Sequence, residues 1–344
     1  MAHALILGAS GISGWSLLNQ ARTYPTPTTF ARITGTTNRP LTLEQARLPA
    51  DDSRLTLVSG IDFTRAVDEV AAALRDKVPD VETVSHVFYT AYIDADDSKG
   101  QAAANTELLS VAIRAIEKVS PRLAFVVLQT GGKGYGLMYP DKVALRTPLR
   151  EDSPRIPRPW ADEVFDYAQH DLLRDLSRGK NWTFSEIRPD VIVGFAPTSN
   201  AMNMARGIGV ASVVRALWSR RVAPPPPPPP PPPFSSDAEA DGSGNTASGS
   251  TTPPPPPPPP SMKDFIAKHD DAWVALAQEH GLDEGAAREY NWDFLHVMLV
   301  ECDFDREYDL TRAREVWFEE GVDTVEGYFA AWERMSSAKQ LPSF

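Results

Sequence analysis

Ala4-Leu5-Ile6-Leu7-Gly8-Ala9-Ser10-Gly11-Ile12-Ser13-Gly14 is the stretch on which the fold turns. Four apolar residues without polar alternation form the pattern of a short strand buried on both faces. The glycine-rich turn follows at once and opens a helical stretch from about Ile12 to Ala21. Strand, glycine loop and helix in this order build an anion site. Gly8 allows the tight turn, Gly11 lets backbone approach a pyrophosphate, and Gly14 permits close packing of helix on sheet. Ser10 and Ile12 lie inside the same loop and share its contacts. An ordinary glycine turn is the weaker reading, because the flanking strand and helix are both in place.

The rhythm repeats outward. Further strands are expected at Ala31–Gly35, Arg54–Val58, His86–Thr90, Leu123–Leu128 and Thr183–Ile187. Between them lie helical stretches at Arg65–Leu74, a long one ending near Val119, and Asp162–Arg178. Strands alternating with helices imply right-handed crossovers and a parallel sheet. The fold class is therefore α/β, a doubly wound sheet of Rossmann type, occupying residues 1–222 with the start of a substrate lobe. Pro224 to Pro233 and Pro253 to Pro260 are then unbroken proline, flanking a Ser/Gly/Asp/Thr-rich segment. Residues 223–262 read as a low-complexity, disordered insert, since nothing there buries enough apolar surface to offset ordering. Residues 263–344 read as a helical segment of the substrate lobe, with helices near Asp264–Gly281, Trp292–Val300 and Val325–Met335.

Composition narrows the function. The 344 residues are 42% hydrophobic, enough for a sizeable core, and carry a formal net charge of -12. That charge disfavours nucleic acid and anionic membrane surfaces. One cysteine, Cys302, excludes an intramolecular disulfide, and six scattered histidines give a metal site little support. No targeting segment or membrane span is visible, so a cytoplasmic protein acting on a small molecule is expected.

The second strand ends in Thr36-Thr37-Asn38-Arg39-Pro40, without the carboxylate that usually holds the ribose hydroxyls of NAD. Arg39, beside Asn38, suits a 2′-phosphate, so NADPH is the expected cofactor. Asp62 either meets the adenine or caps the following helix. Later strands bring Thr90, Gln129 and Thr130 to the nicotinamide end. A Tyr-x-x-x-Lys pair is absent: Asp171 stands four residues after Tyr167, so Lys133 is the candidate cation. On spacing alone, Tyr167 and Lys133 are equally well read as a core tyrosine and a loop lysine.

The glycine spacing is similar to that of short-chain dehydrogenase/reductases. Within them the chain resembles the progesterone 5-beta-reductase/iridoid synthase-like group of atypical members, notably its fungal secondary-metabolism branch. The residues that carry the resemblance are Gly8–Gly14, His86–Thr90, Leu128–Lys133, Asp162–Tyr167, Ile187–Phe195, Ser199–Asn203 and Phe304–Leu310. The resemblance implies NADPH-dependent reduction of an enone or enal, with Lys133 and Tyr167 in the catalytic roles. In it a phenol and an ammonium stabilise the charge that develops on the carbonyl oxygen.

Departures accompany the likeness. Gly134 replaces a Tyr or His and is expected to widen the pocket edge. Asp166 replaces a tyrosine, and His170 reads as a helix-surface residue. After Arg206-Gly207-Ile208-Gly209 the relatives continue through another strand, its helix and part of the lobe, whereas this chain runs into polyproline. An uncovered sheet edge then favours association, a homodimer among the outcomes. The competing functions are a carbonyl reductase or epimerase on the same scaffold, and an impaired cofactor-binding paralogue whose polyproline recruits an SH3, WW or profilin-type partner. Pure proline lacks the flanking basic residues that orient such docking, so a recruited partner is the weaker reading.

Overall fold

The computed structural model describes residues 2–95, 97–198, 200, 203–221 and 261–343. The insert expected at 223–262 lies outside the described residues except for its last two. Those two belong to a helix, with Met262 its first residue and the Ser261 side chain accepting from the Asp264 amide as its cap.

Six parallel strands form one sheet: β1 (Ala2–Leu7), β2 (Phe30–Thr37), β3 (Leu55–Ser59), β4 (His86–Tyr89), β5 (Phe125–Gln129) and β6 (Thr183–Ile187). Their spatial order is β3-β2-β1-β4-β5-β6, with β1 pairing β4 through Ala4↔His86 to Leu7↔Tyr89. Strand order reverses between β1 and β4, and a doubly wound sheet binds its ligand beyond the carboxyl ends at that point.

The helices are α1 (Ile12–Gln20), α2 (Val67–Lys77), α3 (Ser98–Val119), α4 (Phe165–Ser177), α5 (Met204–Arg221), α6 (Met262–His280), α7 (Trp292–His296), α8 (Thr311–Glu315) and α9 (Thr324–Ser337). They cover both faces, which explains the unbroken apolar run of β1. Leu5 and Leu7 face a core shared with Val70 and Leu74 of α2 and Leu109 and Ile113 of α3. Ala4 and Ile6 face the opposite core with Trp15 and Leu18 of α1. That second core also holds Val210 and Val214 of α5, Trp273 of α6, Trp292 and Leu295 of α7, and Met335 of α9. The tail therefore packs on the sheet face beside α1. Its indoles find acceptors as they are buried: Trp273 donates to Asp283 O, Trp292 to Ala287 O and Trp332 to Ala205 O.

Two features differ from the reading of the sequence. Helix α5 was not anticipated, because Gly207 and Gly209 interrupt its pattern. The expected helix Trp292–Val300 is α7 followed by a π-helical turn, Val297–Glu301, in which the Cys302 amide donates to Val297 O at 2.9 Å. Among the described residues the sheet ends at β6, where exposed and half-buried residues alternate and Ile187 is 53% exposed.

Candidate active site

The loop after β1 is built as an anion cradle. Gly8 adopts φ +85°, and a Cβ there would lie 2.8 Å from Thr90 O, so only glycine closes this turn against β4. The Gly11 amide donates to Gly8 O at 3.0 Å, which sets the start of α1. A Cβ on Gly14 would lie 2.2 Å from Gly8 O and 2.8 Å from Thr90 Oγ1. Gly14 thus lets α1 approach the turn itself and the end of β4. By contrast, a Cβ on Gly11 meets only Gly8 O, at 3.4 Å, so the space over this residue is open. The first amides of α1 lie directly behind it, where an anion is stabilised by unpaired N–H groups and the helix dipole.

A cleft of about 520 Å³ runs from this cradle across the carboxyl ends of β1, β4 and β5. Gly11, Ile12, Gly14, Thr90, Gln129, Thr130 and Lys133 all line it. Several are fixed from behind: Thr90 Oγ1 donates to Leu7 O at 2.7 Å, and Gln129 Nε2 to Ser13 Oγ at 2.8 Å. Gly8 and Ser10 stand behind the lining, and Ser10 O accepts from Thr198 Oγ1. Asn38 and Arg39 are exposed beyond the carboxyl end of β2, outside the lining, and no ion pair involves Arg39 among the described residues. Asp62 is engaged locally, accepting from the Thr64 amide and hydroxyl and pairing with Arg65 at 3.4 Å. The Thr64 bonds hold its carboxyl below the ordinary range. It does not cap α2, whose first residue is Val67 and whose start has no side-chain cap.

Lys133 sits on a 3-10 turn, Gly132–Tyr135, immediately after β5, with Nζ 5.3 Å from the Phe165 ring centroid. The structure does not bring Tyr167 to it. The Tyr167 hydroxyl donates to Gly134 O at 2.6 Å and accepts from the Ile156 amide at 3.1 Å. The ring is 4% exposed, outside the cleft lining, with the Arg155 guanidinium 4.7 Å from its centroid. Burial pushes its phenol up. Gly134 does not widen the pocket either, because the Arg188 guanidinium lies 3.5 Å from where its Cβ would be. His170 bonds Glu186 through Nδ1 at 2.8 Å. Glu186 also accepts from Thr130 Oγ1 and from Arg188 Nε, both at 2.7 Å. Burial alone would raise the Glu186 carboxyl, but these bonds outweigh it and hold the carboxyl below its ordinary range. This network fixes Thr130 and the end of β6 beside the cleft.

The residue that the sequence reading noted as a departure but did not place in the site is Asp166. It lines the cleft, is 2% exposed, and burial raises its carboxyl to about 6. Its only sequence signal is that it stands where related chains carry tyrosine. The far wall comes from the tail. Phe294, Val297, Met298, Cys302 and Phe304 face the cleft, and Arg306 pairs with Asp190 at 3.3 Å. The tail is held there by Leu149, whose amide donates to Glu307 O and whose carbonyl accepts from the Asp309 amide. Among the described residues no group of three or more His, Cys, Asp or Glu is placed to hold a metal, and no helix is long and apolar enough to cross a membrane.

Residues 4–218 and 246–342 match the family described as the PRISE-like Rossmann-fold domain. The chain belongs to that family. PRISE-like membership makes it an NAD(P)-dependent oxidoreductase of the short-chain dehydrogenase/reductase class. The short chain dehydrogenase sirQ of Leptosphaeria maculans is 32% identical over 386 residues, covering 99% of this chain and 98% of that protein. The 3-oxo-Delta(4,5)-steroid 5-beta-reductase of Arabidopsis thaliana is 28% identical over 344 residues, covering 98% and 78% respectively. Among solved structures, vestitone reductase from alfalfa superposes with a TM-score of 0.52 over 98% of this chain and 99% of that one, at 11% identity. That is a likeness of fold alone.

Proposed function

We propose that this PRISE-like protein is an NADPH-dependent reductase that saturates the conjugated double bond of a small apolar enone or enal. The observation that carries the reading is the shared cleft. Lys133 and the open backbone over Gly11 line one cavity, and the opposite wall is apolar through Phe294, Val297, Met298 and Phe304. The activity that gives the steroid 5-beta-reductase relative its name supports it further.

The residues fit the cofactor. The Gly8–Gly14 cradle suits the pyrophosphate, and Arg39 at the end of β2 suits a 2′-phosphate. When bound, NADPH supplies the hydride for the β-carbon of the substrate. Everything else falls to the chain. The apolar tail wall binds and desolvates the hydrocarbon part of the substrate and excludes water. Lys133 presents a positive charge inside this sheltered cleft, where charge developing on the carbonyl oxygen is stabilised more strongly than in bulk water. Thr130 and Gln129, fixed through Glu186 and Ser13, orient the nicotinamide end.

The test is NADPH oxidation with a panel of small enals, enones and the matching saturated ketones, with products identified by mass spectrometry. Turnover confined to the conjugated compounds, with the C=C bond reduced, is expected. Turnover of saturated ketones would make it a carbonyl reductase instead, and cofactor binding without any turnover would make it an impaired paralogue. Calorimetry should show NADPH binding well above NADH, with Arg39→Ala removing most of the difference. Equal affinities in the parent protein would refute the NADPH preference.

A further inference from the structure

Asp166 lies in the first turn of α4 and lines the cleft together with Lys133. Its Oδ2 is buried without a partner. Among the described residues it is the one such side-chain atom that belongs to a residue of the cleft lining. A carboxylate oxygen left without a donor in a dry site is costly, whereas a protonated one aimed at a ligand carbonyl is satisfied as soon as that ligand binds. The neighbouring phenol is not available for this task, because the Tyr167 hydroxyl is used up by Gly134 O and the Ile156 amide.

We infer that Asp166 is the acid of this site, giving its proton to the carbonyl oxygen of the substrate as the conjugated bond is reduced. This rests on the reductase reading above. The balance is simple. A hydride adds to the β-carbon, and the C=C π electrons move to form the Cα=C double bond of an enol. The carbonyl π electrons take the Asp166 proton, the one proton that the overall reduction consumes from solvent restores the carboxylic acid, and the enol tautomerises to the saturated product.

The surroundings set the proton affinity from several sides. Lys133, from the turn after β5, and Arg188, after β6, favour the carboxylate, as does the Gly131 amide. Glu186 on β6 favours the acid, and Tyr167 is the adjacent titratable group on α4 itself. Burial outweighs the cations and leaves the carboxyl at about 6. An apolar substrate closing the cleft pushes it further up. Lys133 then has a second use, since its charge stabilises the carboxylate that remains after transfer.

Two measurements test this. Infrared difference spectra of the protein across pH should show a carboxylic C=O band titrating at about 6, absent in Asp166→Asn. Titration only in the ordinary range near ~4, or a band that survives Asp166→Asn, overturns the assignment. With NADPH and a small enal, kcat/KM should fall as pH rises through that titration, and kcat should fall at a higher pH, where the substrate complex titrates. Asp166→Asn should lower kcat on the order of a hundredfold or more and abolish the fall, with NADPH affinity kept. Asp166→Glu, which keeps the acid, should retain the pH-dependent limb. Unchanged kcat in Asp166→Asn, or loss of the limb in Asp166→Glu at full kcat, overturns the proton transfer alone. Absence of enal turnover in the parent sinks the reductase reading and the transfer together.

Discussion

Asp166 and Tyr167 are neighbours in sequence and belong to different parts of the molecule. One residue along a helix is a rotation of about 100°, enough to put Asp166 in the cleft lining and Tyr167 against Val164 and Ile156. The sequence supplied a helix with two polar residues at its start, and likeness to relatives favoured the tyrosine. Spacing could not choose between them, because nothing local to α4 says which face the turn after β5 will approach. The structure decides through Gly134, whose carbonyl takes the phenol, and Gly131, whose amide faces the carboxyl. Tyr167→Phe should therefore act on stability. It leaves the Gly134 carbonyl and Ile156 amide without their buried partner, a loss of about 1–3 kcal/mol. Urea denaturation should show that loss, while NADPH affinity and enal turnover stay near those of the parent. A hundredfold fall in turnover with unchanged stability would return the phenol to the chemistry.

At the scale of elements, most of the sheet was legible because each strand has a reason written locally. β1 is apolar without a break because it serves two cores, and the turn after it needs Gly8 and Gly14 for contacts within one strand–loop–helix unit. Helix α5 was hidden for the opposite reason. Its glycines answer to residues far along the chain. A Cβ on Gly207 would lie 2.5 Å from the ring of Tyr290, and one on Gly209 would lie 2.7 Å from Leu341. Both glycines weaken the helix locally so that the tail can come close, and no local pattern records that exchange. Gly207→Ala separates the two effects. Helix propensity alone favours alanine by about 1 kcal/mol. Tyr290 cannot swing aside freely, since it is 5% exposed and its ring centroid lies 4.8 Å from that of Trp292. Overpacking of this kind costs about 1–3 kcal/mol, so the net effect should be a lower melting temperature, read by calorimetry. A higher one would mean that the tail yields easily to α5. The π-helical turn after α7 was equally hidden, because it arises where the tail bends to present Val297 and Met298 to the cleft.

For the molecule as a whole, the core on the α1 face joins residues from both sides of the proline-rich stretch. Two contacts show how near the flanking helices come. The Trp218 ring, close to the end of α5, lies 5.9 Å from Phe265 and 5.7 Å from His269, both in the first turns of α6. Packed helices whose adjoining ends meet this closely are joined in other proteins by about 2–8 residues. Here about forty residues stand between Arg221 and Ser261, a closure far longer than the distance requires. Closing a loop of roughly forty residues costs about 2 kcal/mol more than closing one of roughly five, from the logarithmic dependence on length. Replacing residues 223–259 by a short Gly/Ser linker should therefore leave NADPH binding intact. It should raise the melting temperature by about 3 °C, since an unfolding entropy of about 2.1 cal/mol/K per residue over roughly 300 residues makes 1 kcal/mol worth about 1.5 °C. Calorimetry and cofactor titration on the shortened protein measure both. A lower melting temperature would show that the replaced residues contribute contacts of their own to the fold. Loss of NADPH affinity would show that they reach the cradle at Gly8 to Gly14, on the same side of the sheet as the helices they connect.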